Sequence, residues 1–308
     1  MSKHTPELYA IVTPMTFITN TKNNPDLEYQ LLDSGDGRKL ESYNGYIMDR
    51  PDPQALWPKK LHPGEWAKAD AVFVEEKTGK REERGSWRVK KDLPETASIR
   101  FFKNLSCNVR LSPFKHTGVF PEQFSNWTYI DNALKGTTGK KVLNLFGYTG
   151  CASLVAASAG AEVVHVDASK QSIASGMANA KMSGLAEKPI RWILDDAFAF
   201  VKREIRRGNT YDGIIMDPPS FGRGAKGQVW KLEESFVEFV EECAKLLSKD
   251  PLFFIVNGYA AGYSHVAYKQ NLDMYLDVAS GESGELLLQD AQGRFLPCGI
   301  VARWKKRV

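Results

Sequence analysis

The chain has 308 residues, of which 43% are hydrophobic and 25% charged, with a formal net charge of +4. That is globular composition, long enough for two domains of the usual ~100–200 residues. It excludes a disordered or collagen-like chain, and no run approaches the ~18 consecutive apolar residues of a membrane span. The opening residues lack the basic-then-apolar order of a secretory leader. The four cysteines, Cys107, Cys151, Cys243 and Cys298, are too scattered for a CxxC zinc pattern or a disulfide scaffold. The expectation is a cytoplasmic protein with reduced thiols, no membrane partner and no metal. A charge this mild permits a nucleic-acid partner without requiring one.

Residues 1–25 show no clear period and end in turn-forming Thr21-Lys22-Asn23-Asn24-Pro25, which reads as a partly ordered N-terminal arm. Residues 26–112 are short segments separated by turn residues, such as Ser34-Gly35-Asp36-Gly37 and Lys77-Thr78-Gly79-Lys80. They read as the hairpins of a small all-β domain. From residue 113 the pattern changes. Phe124, Trp127, Ile130 and Leu134 fall at helical spacing, and five apolar strand segments then alternate with helices: KVLNLF, AEVVHVD, IRWIL, YDGIIMD and LFFIVN. A helix follows over 265–279, and GELLLQD and GIVARWKK close the chain as a hairpin. Residues 113–308 are therefore expected to form an α/β, Rossmann-like, doubly wound sheet of seven strands.

In such a sheet the ligand lies beyond the carboxyl ends of the strands. After the first strand comes Asn144-Leu145-Phe146-Gly147-Tyr148-Thr149-Gly150, whose two glycines permit close backbone approach to a ligand. It is not GxGxxG, so a nicotinamide or flavin cradle is not supported. Asp167 ends the second strand 17 residues after Gly150 and is followed by Ala168 and Ser169. A carboxylate there suits a ribose diol, or else a cap for the next helix. After the third strand, Asp195, Asp196 and Ala197 could meet an adenine amino group, with helix capping by an aspartate as the rival. After the fourth comes Asp217-Pro218-Pro219-Ser220-Phe221. The prolines keep this loop extended and remove N–H donors, leaving acceptors beside an aromatic face that suits a flat base.

NLFGYTG, the Asp167 strand end, DDAF and DPPSF, in this order, resemble the class I S-adenosylmethionine-dependent methyltransferases. More narrowly, the chain is similar to the bacterial group that includes the 23S ribosomal RNA cytosine-5 and guanine-N7 enzymes. His116-Thr117-Gly118-Val119-Phe120-Pro121-Glu122-Gln123 resembles the threonine-glycine segment preceding their catalytic domain, with Phe124 where relatives carry arginine. The resemblance covers about residues 114–308. It implies S-adenosyl-L-methionine as cofactor, with Asn144, Phe146, Gly147, Tyr148, Thr149 and Gly150 at its methionine end. It further places Asp167, Ala168 and Ser169 at the ribose, Asp196 and Ala197 at the adenine, and Asp217, Pro218, Ser220 and Phe221 at the acceptor. Ribosomal RNA is the implied partner.

Methylation at carbon 5 of cytosine needs a cysteine that adds to the ring. The loop after the fourth strand and the end of the fifth, Val256-Asn257-Gly258-Tyr259, contain none, which favours a base nitrogen. Most of the cysteines are expected to pack in the core. Gly222–Trp230 is glycine-rich and basic, with Trp230 either stacking on substrate or packing as a helix staple. Lys202–Arg207 and Trp304–Arg307 are expected to be solvated faces. A small-molecule or protein methyltransferase, a nucleotide-dependent oxidoreductase and a noncatalytic RNA-binding module are the competing readings.

Overall fold

The computed structural model describes residues 15–22, 24–76, 84–90, 97–223, 229–259, 262–277 and 280–306. Its elements run in chain order as β1 (Met15–Asn20), β2 (Tyr29–Gly35), β3 (Arg38–Tyr43), β4 (Tyr46–Pro51), α1 (Pro63–Trp66), β5 (Ala71–Glu75), β6 (Gly85–Val89), β7 (Ser98–Phe102) and β8 (Leu105–Asn108). The second part holds α2 (Phe124–Leu134), β9 (Lys141–Leu145), α3 (Cys151–Ser158), β10 (Glu162–Asp167), α4 (Lys170–Met182), β11 (Ile190–Leu194), α5 (Ala197–Arg207) and β12 (Gly213–Met216). It ends with β13 (Phe221–Arg223), β14 (Val229–Lys231), α6 (Leu232–Ala244), β15 (Phe253–Gly258), α7 (His265–Asp273), β16 (Gly281–Gln289) and β17 (Phe295–Lys305).

Strands β2 to β6 form a five-stranded sheet in chain order, and β7 pairs with β8 in a separate hairpin. The large sheet has the order β1-β16-β17-β15-β12-β9-β10-β11, with β17 antiparallel to both its neighbours. The expected seven strands are all present, and an eighth joins them. Residues 15–20, read as part of an arm, pair in parallel with β16 from Met15↔Gly284 to Asn20↔Gln289. That pairing covers the edge of β16, whose unpaired backbone groups would otherwise face solvent. The last helix is shorter than expected, ending at Asp273.

The central strands are apolar along their length because helices cover both faces of the sheet. Their side chains alternate between two cores. Val142, Ile215, Phe253 and Ile255 face α2 and α3 with Trp127, Leu154 and Val155. Leu143, Ile214, Met216 and Phe254 face α5 and α6 with Phe200, Phe239 and Val240. The first core continues into the five-stranded sheet through Leu31, Tyr43 and Met48, and into the β7–β8 hairpin through Phe101. Strand β8 also docks on α4: Ser106 N–H donates to Ser183 Oγ (3.0 Å) and Asn108 N–H to Asn179 Oδ1 (3.0 Å). Among the described residues no helix is long and apolar enough to cross a membrane.

Candidate active site

The loop after β9 turns into α3 through left-handed backbone. Phe146 (φ 55°) and Tyr148 (φ 49°) adopt this conformation without being glycine, a cost in energy that the surrounding contacts must hold. Gly147 allows the loop to lie against β10, because a Cβ there would come within 2.4 Å of His165 Cε1. The loop is tied down from several sides. Gly147 N–H donates to Val166 O (3.1 Å), Thr149 Oγ donates to Gly118 O (2.6 Å) and Asn179 Nδ2 to Thr149 O (3.0 Å).

Beneath the loop, Asn144 Nδ2 donates to Ser153 Oγ (2.9 Å), which lies 2.9 Å from His165 Nδ1. Burial pushes the imidazole down to about 3, so it is neutral at ordinary pH. Asp167, at the end of β10, accepts from Tyr148 N–H on Oδ2 and from Ser169 N–H on Oδ1, each at 2.8 Å. Burial raises its pKa, partly offset by those two backbone donors. The cap of α4 is Ser169, whose Oγ accepts from Ser172 N–H. Ala168 lies half-buried between them.

Asp196 is the N-cap of α5, with Oδ1 accepting from Ala199 N–H at 2.8 Å. The capping reading of this residue is therefore realised with one of its two oxygens. Ala197 is buried as the first residue of the helix. Asp195 N–H donates to Asp167 O (3.1 Å), which sets the start of α5 beside the end of β10.

A cleft opens between this loop and the end of β12, lined by Asn144, Phe146, Gly147, Tyr148, Thr149 and Asp217. Its other walls carried no expected site role: Trp127, Cys151, Ala152 and Ile215, Asn257 at the end of β15, and Gly118, Phe120 and Gln123, whose threonine-glycine segment the resemblance had marked only as preceding the catalytic domain. Phe120 packs at its rim against Tyr148 and Tyr259, with ring centroids 5.7 and 5.6 Å away. The Asp217 carboxyl is pushed up to about 7 by burial and by the nearby Glu122 charge. Glu122, itself buried, is also raised to about 7 by burial, against the opposing Lys39 charge. No ion pair among the described residues reaches either carboxylate.

Beyond Asp217, Pro218 is buried and Ser220 exposed, and Phe221 presents a 55% exposed ring. Trp230 is packed rather than available for stacking. It is 6% exposed, donates Nε1–H to Pro219 O (2.6 Å) and lies against Phe146 and Phe239. The basic loop ahead of it is the β13–β14 connection, and residues 224–228, Lys226 included, lie outside the described residues. Three cysteines are buried and Cys298 is partly exposed, but Cys151 also forms part of the cleft wall. Lys202, Arg203 and Arg207 pair with Glu238, Asp195 and Glu204, while Trp304 is buried. Among the described residues no cluster of three or more His, Cys, Asp or Glu could hold a metal.

A doubly wound sheet closed by an antiparallel hairpin, with its cleft at the carboxyl ends of the central strands, defines a class I methyltransferase architecture. The model of the S-adenosylmethionine-dependent methyltransferase family matches residues 91–263, more than half the chain, and the chain belongs to that family. A solved S-adenosylmethionine-dependent methyltransferase from Agrobacterium tumefaciens is 38% identical, with a TM-score of 0.88 over 96% of this chain and 94% of that one. The protein SMU.776, solved in complex with S-adenosylhomocysteine, shares the fold at 21% identity and a TM-score of 0.65, over 91% of this chain and 76% of that one. Among curated proteins, the ribosomal RNA large subunit methyltransferase I of Aeromonas hydrophila is 36% identical over 106 residues, 34% of this chain and 26% of that protein. The ribosomal RNA large subunit methyltransferase K of Neisseria meningitidis serogroup B is 26% identical over 151 residues, 48% of this chain and 42% of that protein. The chain thus spans less than half the length of these curated relatives.

The residues present fit the family's cofactor. Phe146, Gly147, Tyr148 and Thr149 line the cleft where its methionine end would lie, while the space Gly147 leaves is taken by His165, and the half-exposed Asp167 retains lone pairs beyond its two backbone bonds.

Proposed function

We propose that this protein methylates a base nitrogen of ribosomal RNA, with Asp217 as the group that receives the proton. The observation that carries this reading is Asp217 itself: a half-buried carboxylate lining the cleft, reached by no ion pair among the described residues and poised to ionise near neutral pH. Such a group is matched to general-base work. The names of the curated relatives support ribosomal RNA as the substrate class.

Bound S-adenosylmethionine supplies an electrophilic methyl group carried on a sulfonium. Asp167 would hold the ribose hydroxyls, with Ala168 and Ser169 beside them and Asp196 and Ala197 at the adenine. The loop from Phe146 to Gly150, over Asn144, would line the methionine end. The acceptor base would lie over Asp217 and Pro218, with Ser220 and the exposed Phe221 ring at its outer edge. Asp217 would take the acceptor's N–H proton on a carboxylate oxygen as the methyl group exchanges its bond to the sulfonium sulfur for one to nitrogen, and alignment within the cleft would supply much of the acceleration.

The test is incubation of the purified protein with methyl-labelled S-adenosylmethionine and total RNA from a strain lacking the gene, followed by separation of RNA, protein and small molecules. Label in a ribosomal RNA band, digested to an N-methylated nucleoside, is the expected result. Label in a protein or small-molecule fraction instead would overturn the substrate, and a C-methylated nucleoside would overturn the nitrogen.

A further inference from the structure

A chain of buried side-chain hydrogen bonds runs from β17 to the cleft, and its direction is set at one end. Arg303, 3% exposed, donates Nε–H to Asn126 Oδ1 at 2.6 Å. It also donates to Ser125 Oγ (2.9 Å) and Glu282 Oε1 (3.4 Å), and its guanidinium lies over the rings of Phe17 and Tyr129. A guanidinium has donors and no acceptor. Asn126 must therefore turn its oxygen to Arg303 and its NH2 the other way. That NH2 donates to Gln123 Oε1 (2.6 Å) and to Asn257 Oδ1 (2.7 Å), which uses both of its hydrogens. Gln123 and Asn257 are then oriented in turn. Gln123 gives Nε2–H to Tyr259 Oη (2.6 Å), and Asn257, which lines the cleft with its oxygen already occupied, has its Nδ2–H2 left to donate outside this network.

The strands set this donor beside Asp217, because Met216 and Val256 are register partners and each precedes its site residue by one. The end of the cleft therefore carries an acceptor, the Asp217 carboxylate, next to a donor, Asn257 Nδ2. Flipping Asn257 would set amide nitrogen against amide nitrogen, and flipping Asn126 would set it against the guanidinium. Each such contact leaves a buried donor unsatisfied.

We propose that Arg303, acting through Asn126, is a positioning residue that fixes Asn257 as a hydrogen-bond donor to the acceptor base, and that the site takes a base edge with an N–H beside a lone pair. An exocyclic amine next to a ring nitrogen has this pattern, as does a ring N–H next to a carbonyl. The N7/O6 edge of guanine offers acceptors only and would turn a lone pair toward Asp217. The inference rests on the base-nitrogen reading above and narrows it.

Asn126→Asp is the decisive variant. It keeps an oxygen for Arg303 and the same shape, but removes both donations, so Gln123 and Asn257 face carboxylate oxygens and reverse. Two measurements separate the outcomes. In protein selectively labelled with [15N]asparagine, the Asn257 side-chain resonance, identified by its loss in Asn257→Ser, should move in the Asn126→Asp variant. An unmoved Asn257 signal overturns the network. In the labelling assay, kcat should fall 10- to 100-fold while the Kd for S-adenosylmethionine stays within threefold; transfer within threefold of the parent overturns the role in positioning. Arg303→Lys, which retains a donor for Asn126, should recover more of the rate than Arg303→Met. If the parent protein labels no RNA, the substrate reading fails while the resonance still decides the network. A 7-methylguanosine product would overturn the proposed base edge.

Discussion

Two groups of buried charge in this molecule have opposite arrangements. In the small β sheet, Glu41 is fully enclosed and saturated. Arg50 grips it through Nε (2.6 Å) and Nη2 (2.7 Å), Tyr29 and Tyr43 donate to it at 2.7 and 3.2 Å, and Lys39 lies 3.7 Å away. Burial alone would raise its pKa, but Arg50 and Lys39 outweigh burial and hold it down to about 2. At the cleft, the half-buried Asp217 and the buried Glu122 have no such partner, and both rise to about 7. A charge paired with a cation holds structure together, whereas a carboxylate left without one stays ready to take up a proton.

The contrast can be broken most severely at Asp217. Asp217→Asn should reduce methyl transfer by about 10²–10⁴-fold, measured as labelled product per minute, while S-adenosylmethionine affinity stays near that of the parent. A variant with parental rate would make the loop purely structural. Glu41→Ala should do the reverse. It strands the Arg50 guanidinium and costs roughly 3–5 kcal/mol of stability, read by urea unfolding, with little effect on the per-molecule rate of whatever remains folded.

The pH dependence of stability should differ in sign between the two groups. The unfolded pKa of Glu41 lies above its folded value of about 2, so its contribution is present above pH ~4.5 and is lost as pH falls toward 2. The folded pKa of Asp217 lies above its unfolded value, so its contribution is present below pH ~4 and is lost as pH rises through about 7, by at most about 4 kcal/mol. Unfolding free energies of Asp217→Asn should therefore decline less between pH 5 and 8 than those of the parent. Parallel curves would show that the Asp217 pKa is not raised in the folded protein. Transfer should rise over the same interval as Asp217 ionises.

A smaller effect is expected at Asp167→Ala, which should weaken S-adenosylmethionine binding by about 1.5–3 kcal/mol; unchanged affinity by calorimetry would remove Asp167 from the cofactor site. The smallest is at the cysteines. Serine at each position should leave transfer intact, including at Cys151 in the cleft wall, and a folded, cofactor-binding but inactive variant would revive covalent catalysis.

The alternation of strands and helices after residue 140, the turn at Gly147 and the acids closing β10 and β12 were all legible in the sequence. Each depends on neighbours a few residues away: apolar runs, glycine before a helix, proline after a strand. Strand β1 was not, because MTFITN acquires its role only from a partner some 270 positions away. The Trp230 sequence allowed stacking or packing, and contact with Phe239 decided it. The donor chain was also invisible. Gln123, Asn126, Asn257 and Arg303 are ordinary polar residues on different elements, and only the fold sets them in a line whose direction the arginine imposes. Asp196 showed the converse: the sequence carried both a cap and a ligand, and one carboxylate can serve both because the cap uses Oδ1 alone.

The pairing of β1 with β16 also bears on the order in which the chain can fold. A ribosome delivers β1 long before β16, and Thr21 waits for Gln289, whose carbonyl accepts its hydroxyl. Closing a loop of that length costs about 5 kcal/mol of chain entropy, and such distant contacts slow folding. The earliest strand of the large sheet is thus among the last to be seated. Until synthesis has passed residue 289, the nascent chain carries a strand with no edge to join, and the β1–β16 pair then meets the rest of the sheet only through β17, the last strand made.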